Sequence, residues 1–275
     1  VLLARATHAQ EVIEERMRSI AHVTYIGHAT LLIEMDGVRL LTDPILVRHV
    51  SGFLQRHRAA PTMSVGPVDA VLISHLHRDH FDLPSLRMVG HETLVIAPRG
   101  TGKLLRRHGF HHVVELGVGD QRQVGALTIT ATYADHVARR PPFGPDTHCL
   151  GYMVSGSQRI YFAGDTDLFP EMETLGDQLD VALLPVWGWG PTLGAGHMTP
   201  ERAAEALALL QPTLAIPIHW GTLHPWGMGW WQPDFLSTPP YLFANYARTV
   251  APAVQVQIVK PGQTFAHRQA LSYIG

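Results

Sequence analysis

The chain has 275 residues, 46% of them hydrophobic and 16% charged, enough apolar material to close one substantial core. Its formal charge of -2, from 21 basic and 23 acidic residues, lacks the electrostatic footprint of a nucleic-acid binder. A single cysteine, Cys149, excludes an internal disulfide; the opening VLLARATHAQEVIEERM is too short in its apolar run and too quickly charged for a signal peptide or membrane anchor, so the chain reads as cytoplasmic.

In chain order, a helical pattern over Glu11–Ser19 precedes strand-like runs at Val23–Ile26, Thr30–Met35 and Val38–Thr42, with Asp36 and Gly37 making a tight hairpin turn. Further apolar runs fall at Val71–Ser74, Leu94–Ala97, Leu127–Tyr133, Arg159–Ala163, Val181–Pro185, Leu214–Ile218 and Val254–Val259. Helices are expected over Thr101–His108, over TPERAAEALALLQP and over Leu242–Val250. In the second of these Thr199 can cap, Pro200 suits the first turn, and Ala203, Leu207 and Leu210 share a face. Hairpins first and strand–helix alternation later point to a layered α/β or α+β sandwich rather than a purely parallel sheet.

Eighteen histidines make a metal site worth seeking, although His108, His111 and His112 read as ordinary surface residues. VLISHLHRDHFD joins an apolar strand to a loop carrying His75, His77, Asp79 and His80. Alternation puts His75 and His77 on one side of the chain, where two imidazoles can grip one cation. Asp79 and His80 follow as the loop turns and can reach a second. Polar residues also end three other apolar strands: His136 in TITATYADH, Asp165 in RIYFAGDTD and His219 in LAIPIHWGT, all able to converge at one rim.

In this order LLTDP with Asp43, SHLHRDHFD, ADH with His136, AGDT with Asp165 and PIHWG with His219 resemble the metallo-β-lactamase superfamily. Within it, TYIGHATLLIEMDGVRLLTDPI, RIYFAGDTD, and HMTPERAAEAL followed by AIPIHWGT are most similar to the phospholipase D-like branch that hydrolyses N-acyl-phosphatidylethanolamine. The resemblance implies a four-layer αββα sandwich, with residues 1–22 as an N-terminal helical extension and residues 23–275 as a single domain. It implies that His75, His77 and His136 hold one divalent metal, that Asp79, His80 and His219 hold another, and that Asp165 bridges them. Zinc is the first expectation for a nitrogen-rich site, with manganese, iron or nickel as alternatives. Asp43 reads as an acceptor that orients a ligand imidazole. For His28, in GHAT, a place near the rim and a structural role stay equally open.

The expected chemistry is hydrolysis: two cations about 3.5–4 Å apart acidify a shared water to hydroxide. Asp79 is expected as general base, and His197, just before a capped helix, as general acid or substrate contact. A phosphodiester in a small-molecule or lipid-like substrate leads. Lactone hydrolysis is the alternative, and a metal-binding scaffold without turnover is the reading from another class. All six tryptophans lie between Trp187 and Trp231. Trp187, Trp189 and Trp220 are candidates for a substrate-facing wall, against a packed lid, a dimer contact or a peripheral membrane contact. Arg139 and Arg140 are candidate phosphate contacts, with ordinary exposure as the alternative.

Overall fold

The computed structural model describes residues 20–57, 65–137, 147–228 and 233–268. The expected helix over Glu11–Ser19, together with Arg139, Arg140, Trp230 and Trp231, lies outside these residues. Strand β1 runs Ile20–Gly27, so Ile20, Ala21 and His22, expected in the helical extension, instead pair along the last strand of the chain, β17 (Gln263–Arg268).

β2 (Thr30–Met35) and β3 (Val38–Thr42) form the expected hairpin. Asp36 and Gly37, at φ 52 and 78, give it the left-handed turn that suits twisted antiparallel strands. β6 (Ala70–Leu72), β7 (Leu94–Pro98) and β8 (Val113–Leu116) then add parallel to β3, completing a sheet of order β17-β1-β2-β3-β6-β7-β8. The second sheet repeats the change of character. β9 (Gln121–Val124), β10 (Leu127–Tyr133), β11 (Leu150–Ser155) and β12 (Arg159–Phe162) are antiparallel. β13 (Val181–Pro185), β14 (Leu214–Ile218) and β16 (Gln255–Val256) continue in parallel. A small third sheet joins β4 (His49–Val50), β5 (Leu54–Arg56) and β15 (Leu223–Pro225).

Alternation explains the layering. Leu31, Ile33, Leu40, Ala70, Leu72 and Ile96 pack into the core shared with the second sheet. Their neighbours Leu32, Leu41, Val71, Ile73 and Val95 pack on the other face, with Leu86 of α1 (Leu83–Val89) and Leu105 of α2 (Gly102–Arg107). α3 (Pro200–Leu210) and α4 (Pro239–Val250) cover the second sheet, packing on each other and on β13 and β14. The result is the expected helix–sheet–sheet–helix sandwich. Among the described residues no helix is long and apolar enough to cross a membrane.

Several boundaries differ from expectation for local reasons. β6 ends before Ser74 because that residue donates to a side chain instead of a ladder. α4 starts at Pro239, since two prolines fit a first helical turn that has no use for their missing N–H groups. β16 keeps two residues of the expected run Val254–Val259.

Candidate metal centre

β3, β6, β10, β12, β13 and β14 end at one rim, and the polar residues picked out by the sequence follow those ends. The loop after β6 brings His75, Asp79 and His80 into the interior, with His77 half-buried. His136 follows β10, Asp165 follows β12 and His219 follows β14. Gly164, at φ +63, lets Asp165 approach the loop: a β-carbon there would lie 2.8 Å from Cβ of Ser74 and 3.0 Å from the Leu150 carbonyl.

Four of the imidazoles share one orientation. His80 gives its Nδ1 proton to Oδ2 of Asp43 at 2.7 Å, and His219 gives its own to the Trp187 carbonyl at 2.6 Å. His136 does the same to the Gly196 carbonyl at 2.8 Å. Ser74 Oγ donates to Asp43, so it accepts Nδ1–H of His75, 2.9 Å away. Each fixed outer bond turns Nε2 inward, as a bare lone pair wherever the ring is neutral. Asp43 does this through its buried carboxylate, which takes Ser74 N at 2.7 Å and Ser74 Oγ at 2.5 Å as well as His80.

The inward atoms crowd together. Nε2 of His80 lies 3.0 Å from Nε2 of His219, and Nε2 of His136 lies 3.0 Å from Nδ1 of His77. Asp165 presents Oδ2 to His80 at 3.0 Å and Oδ1 to His219 at 3.1 Å. Despite that proximity both Asp165 oxygens, and Nε2 of His75, are buried without a hydrogen-bond partner. Two donors about 2.0–2.1 Å from a tetrahedral zinc stand roughly 3.3 Å apart, so lone pairs at these spacings fit a missing cation far better than each other. Two groups result: His75, His77 and His136, and Asp79, His80 and His219, with His28 beside the second. Asp165 touches both groups, 3.9 Å from His75 and 3.0 Å from His80.

Protonation follows the same logic. Burial, with His80 second, pushes the His75 pKa well below the ordinary imidazole value. Burial takes that of His136 down to about 4, against the pull of Asp165, and burial with His219 takes that of His28 down to about 3. For Asp165 burial is the largest influence and raises the pKa, but His219 and His80 outweigh it and hold the carboxyl well below its usual range. His80 is the exception: burial opposes its charge, yet Asp165 and Asp79 hold its pKa well above the ordinary value. Neutral imidazoles and ionised carboxylates are the states that bind metal, and a cation arriving here displaces the proton His80 otherwise carries.

His197 enters through the loop before α3. Its Nδ1 donates to the Gly194 carbonyl at 3.1 Å and its Nε2 lies 3.3 Å from Oδ2 of Asp165. Burial lowers its pKa most, but the bond to Asp165 outweighs that and raises it to about 9. For protein stripped of metal the sign follows: the folded value stands above the ordinary 6.5, so this stabilisation is complete below about pH 6.5 and lost as pH rises through about 9. Urea unfolding of the chelated protein is expected to show stability falling across that window, and less steeply for His197→Gln. Equal slopes would remove the assignment.

A cavity of about 870 Å³ opens on the cluster, lined by Phe53, Leu54, Trp189 and Leu193 together with His77, Arg78, Asp79 and His197. Only part of the expected aromatic wall is there. Trp189 lines the cavity and meets Phe53 edge-on at 5.8 Å. Trp220, expected at the substrate, is 5% exposed and turned into the core, where its indole N–H finds the Pro217 carbonyl and its ring packs on Tyr25. Trp187 serves through its carbonyl, which holds His219. Phe53, from the β4–β5 hairpin, and Arg78, inside the metal loop, are the residues that sequence reasoning passed over. Arg78 is exposed and makes no hydrogen bond or ion pair among the described residues.

Fold and site together define a metallo-β-lactamase sandwich with a histidine–aspartate metal centre at its rim. A family model described as the beta-lactamase superfamily domain matches residues 38–220, and the chain belongs to that superfamily. It is 32% identical over 254 residues to a UPF0173 metal-dependent hydrolase of Methanopyrus kandleri, covering 88% of this chain and 98% of that protein. It is 32% identical over 235 residues to an uncharacterised protein of Mycobacterium tuberculosis, covering 74% of this chain but spanning 61% of that protein's length. The solved structure of Igni18, a metallo hydrolase from the archaeon Ignicoccus hospitalis, superposes with a TM-score of 0.69 at 24% identity, covering 91% of this chain and all of that one. The isothiocyanate hydrolase from Delia radicum gut bacteria does so at 0.70 and 20% identity, over 90% of this chain and all of that one. These two likenesses establish the fold.

Proposed function

We propose that the chain is a metal-dependent hydrolase that uses two divalent cations, zinc first, to cleave a phosphodiester in a substrate with an apolar part. One observation carries the reading: four imidazoles, each with Nδ1–H tied to an outer acceptor, turn Nε2 inward toward one buried carboxylate, Asp165. His75, His77 and His136 would hold one cation and Asp79, His80 and His219 the other, with Asp165 shared. Bound there, the cations supply Lewis acidity toward the substrate oxygen and acidify a water.

The chain's own groups do the rest. Asp79 borders the cavity and is placed to hold the proton of the attacking water. His197 has its Nε2 toward the same space and can return a proton to the leaving oxygen. The Arg78 guanidinium beside the reacting position suits a scissile group that is itself an anion, which favours a phosphodiester, as in the phospholipase D-like branch. The lactone reading draws on the apolar lining of Phe53, Leu54, Trp189 and Leu193.

Zinc-loaded protein assayed on bis(p-nitrophenyl) phosphate and on simple lactones separates these readings. Arg78→Met is expected to lower kcat/KM for the phosphodiester by about tenfold or more, the worth of one charge-assisted hydrogen bond, and to leave any lactone activity within a few-fold. Lactone cleavage with no phosphodiester turnover would reverse the order, and zinc bound without turnover of either would favour the scaffold reading.

A further inference from the structure

His28 is built differently from the four imidazoles that tie Nδ1–H outward. It sits wholly buried in the β1–β2 turn at φ 59, a left-handed conformation uncommon for residues other than glycine. Its backbone N–H donates to Thr222 Oγ1 at 2.8 Å, and its carbonyl accepts the backbone N–H of His219 at 2.8 Å. The side chain then does the reverse of its neighbours. Nε2 lies 2.9 Å from Oδ2 of Asp79, and an ionised carboxylate only accepts, so Nε2 carries the proton and points it into the site. Nδ1, on the outer side, is buried and has no partner. The ring lies against that of His219, with centroids 3.8 Å apart and planes inclined by 38°.

His28 therefore grips two of the three residues assigned to the second cation. Asp79 Oδ2, the oxygen it bonds, is also the one that faces His80 and His219, at 3.6 and 3.7 Å. A carboxylate oxygen has lone pairs for both an N–H and a cation. We infer that His28 is a positioning residue for the second metal position: it fixes the Asp79 carboxylate by a hydrogen bond and His219 by a close ring contact and a backbone bond. The inference rests on the two-metal reading above. A histidine that merely filled space would leave metal affinity indifferent to where a replacement's N–H points.

Two substitutions separate the roles. Asparagine tolerates the left-handed backbone, but its amide stops near the position of Nδ1, short of Asp79; the glutamine amide reaches the position of Nε2. Zinc titration calorimetry on chelated protein, with bound zinc counted after dialysis, reads the outcome without any substrate. Wild type is expected to take two zinc ions. His28→Asn is expected to keep the first at wild-type affinity and to bind the second 10–100-fold more weakly, the usual loss when a partner behind a ligand is removed. His28→Gln is expected to recover the second site to within a few-fold. If a His28 variant fails to fold by circular dichroism, Thr222→Val, which releases the turn while leaving His28 in place, is expected to weaken the second zinc in the same direction. Wild-type affinity for both zinc ions in His28→Asn would overturn the inference, as would equal loss in the Asn and Gln variants. A wild-type chain that takes one zinc would sink the two-metal reading first.

Discussion

Asp165→Asn is expected to drop bound zinc from two per chain toward one or none, and to cut hydrolysis on the order of a thousandfold or more. Asp165 faces both donor groups from the inner side: Oδ2 lies 3.0 Å from His80, 3.3 Å from His197 and 3.9 Å from His75, and Oδ1 lies 3.1 Å from His219. An amide keeps the shape but offers one neutral oxygen, and its NH2 group points at lone pairs or at a cation. Removing one shared anionic ligand forfeits several kcal/mol of charge stabilisation, which corresponds to about three decades in rate. Elemental analysis alongside steady-state assays checks both halves. Full zinc content with near-native turnover would show that Asp165 is not shared between the cations.

Asp79→Asn is expected to act more selectively. The first zinc, held by three imidazoles, should stay; the second should weaken; turnover should fall by roughly 10²–10⁴, the span usual for a lost proton acceptor. The reason lies in the surroundings of Asp79. Burial is the strongest influence and raises its pKa, but His80, His219 and His28 together hold it well below the usual carboxylate range, so it stays a firm anion, and it is the loss of that charge that weakens the second zinc. Asparagine is neutral in the same place. A variant with one zinc and near-normal turnover would transfer the proton-holding role elsewhere, with His197 the next group on the cavity wall.

Much of this centre was legible because the metal loop compresses four donors into six residues, and because His136, Asp165 and His219 each follow a continuous apolar strand. Those are local signals. The orientation of Asp43 toward His80 was readable from LLTDP only through family resemblance, since the two residues meet across the β3–β6 pairing. His28 stayed undecided because its meaning lies in its tautomer, which no spacing encodes. Arg78 was hidden in plain view between two candidate ligands, and Phe53 in a hairpin of two- and three-residue strands that carries no periodicity. Trp220 misled because it adjoins His219, yet its indole N–H is satisfied by Pro217, three residues back. β11 escaped because Gly151 interrupts the strand pattern; a β-carbon there would lie 2.5 Å from Thr132 Oγ1 and 3.0 Å from Tyr161. β9 and β17, at sheet edges, are too polar to announce themselves.

Among the described residues seven other than glycine have positive φ, and three of them, His28 at 59, Asp43 at 34 and His219 at 62, stand at the candidate metal centre. Such conformations cost of order 1–3 kcal/mol each and persist only where the surroundings impose them. A mutant library screened for heat tolerance alone would therefore enrich glycine and asparagine at positions 28 and 219, where either exchange relieves local strain. The sturdiest survivors would be those that had discarded the centre, so any stabilisation campaign on this chain needs a counter-screen for bound zinc.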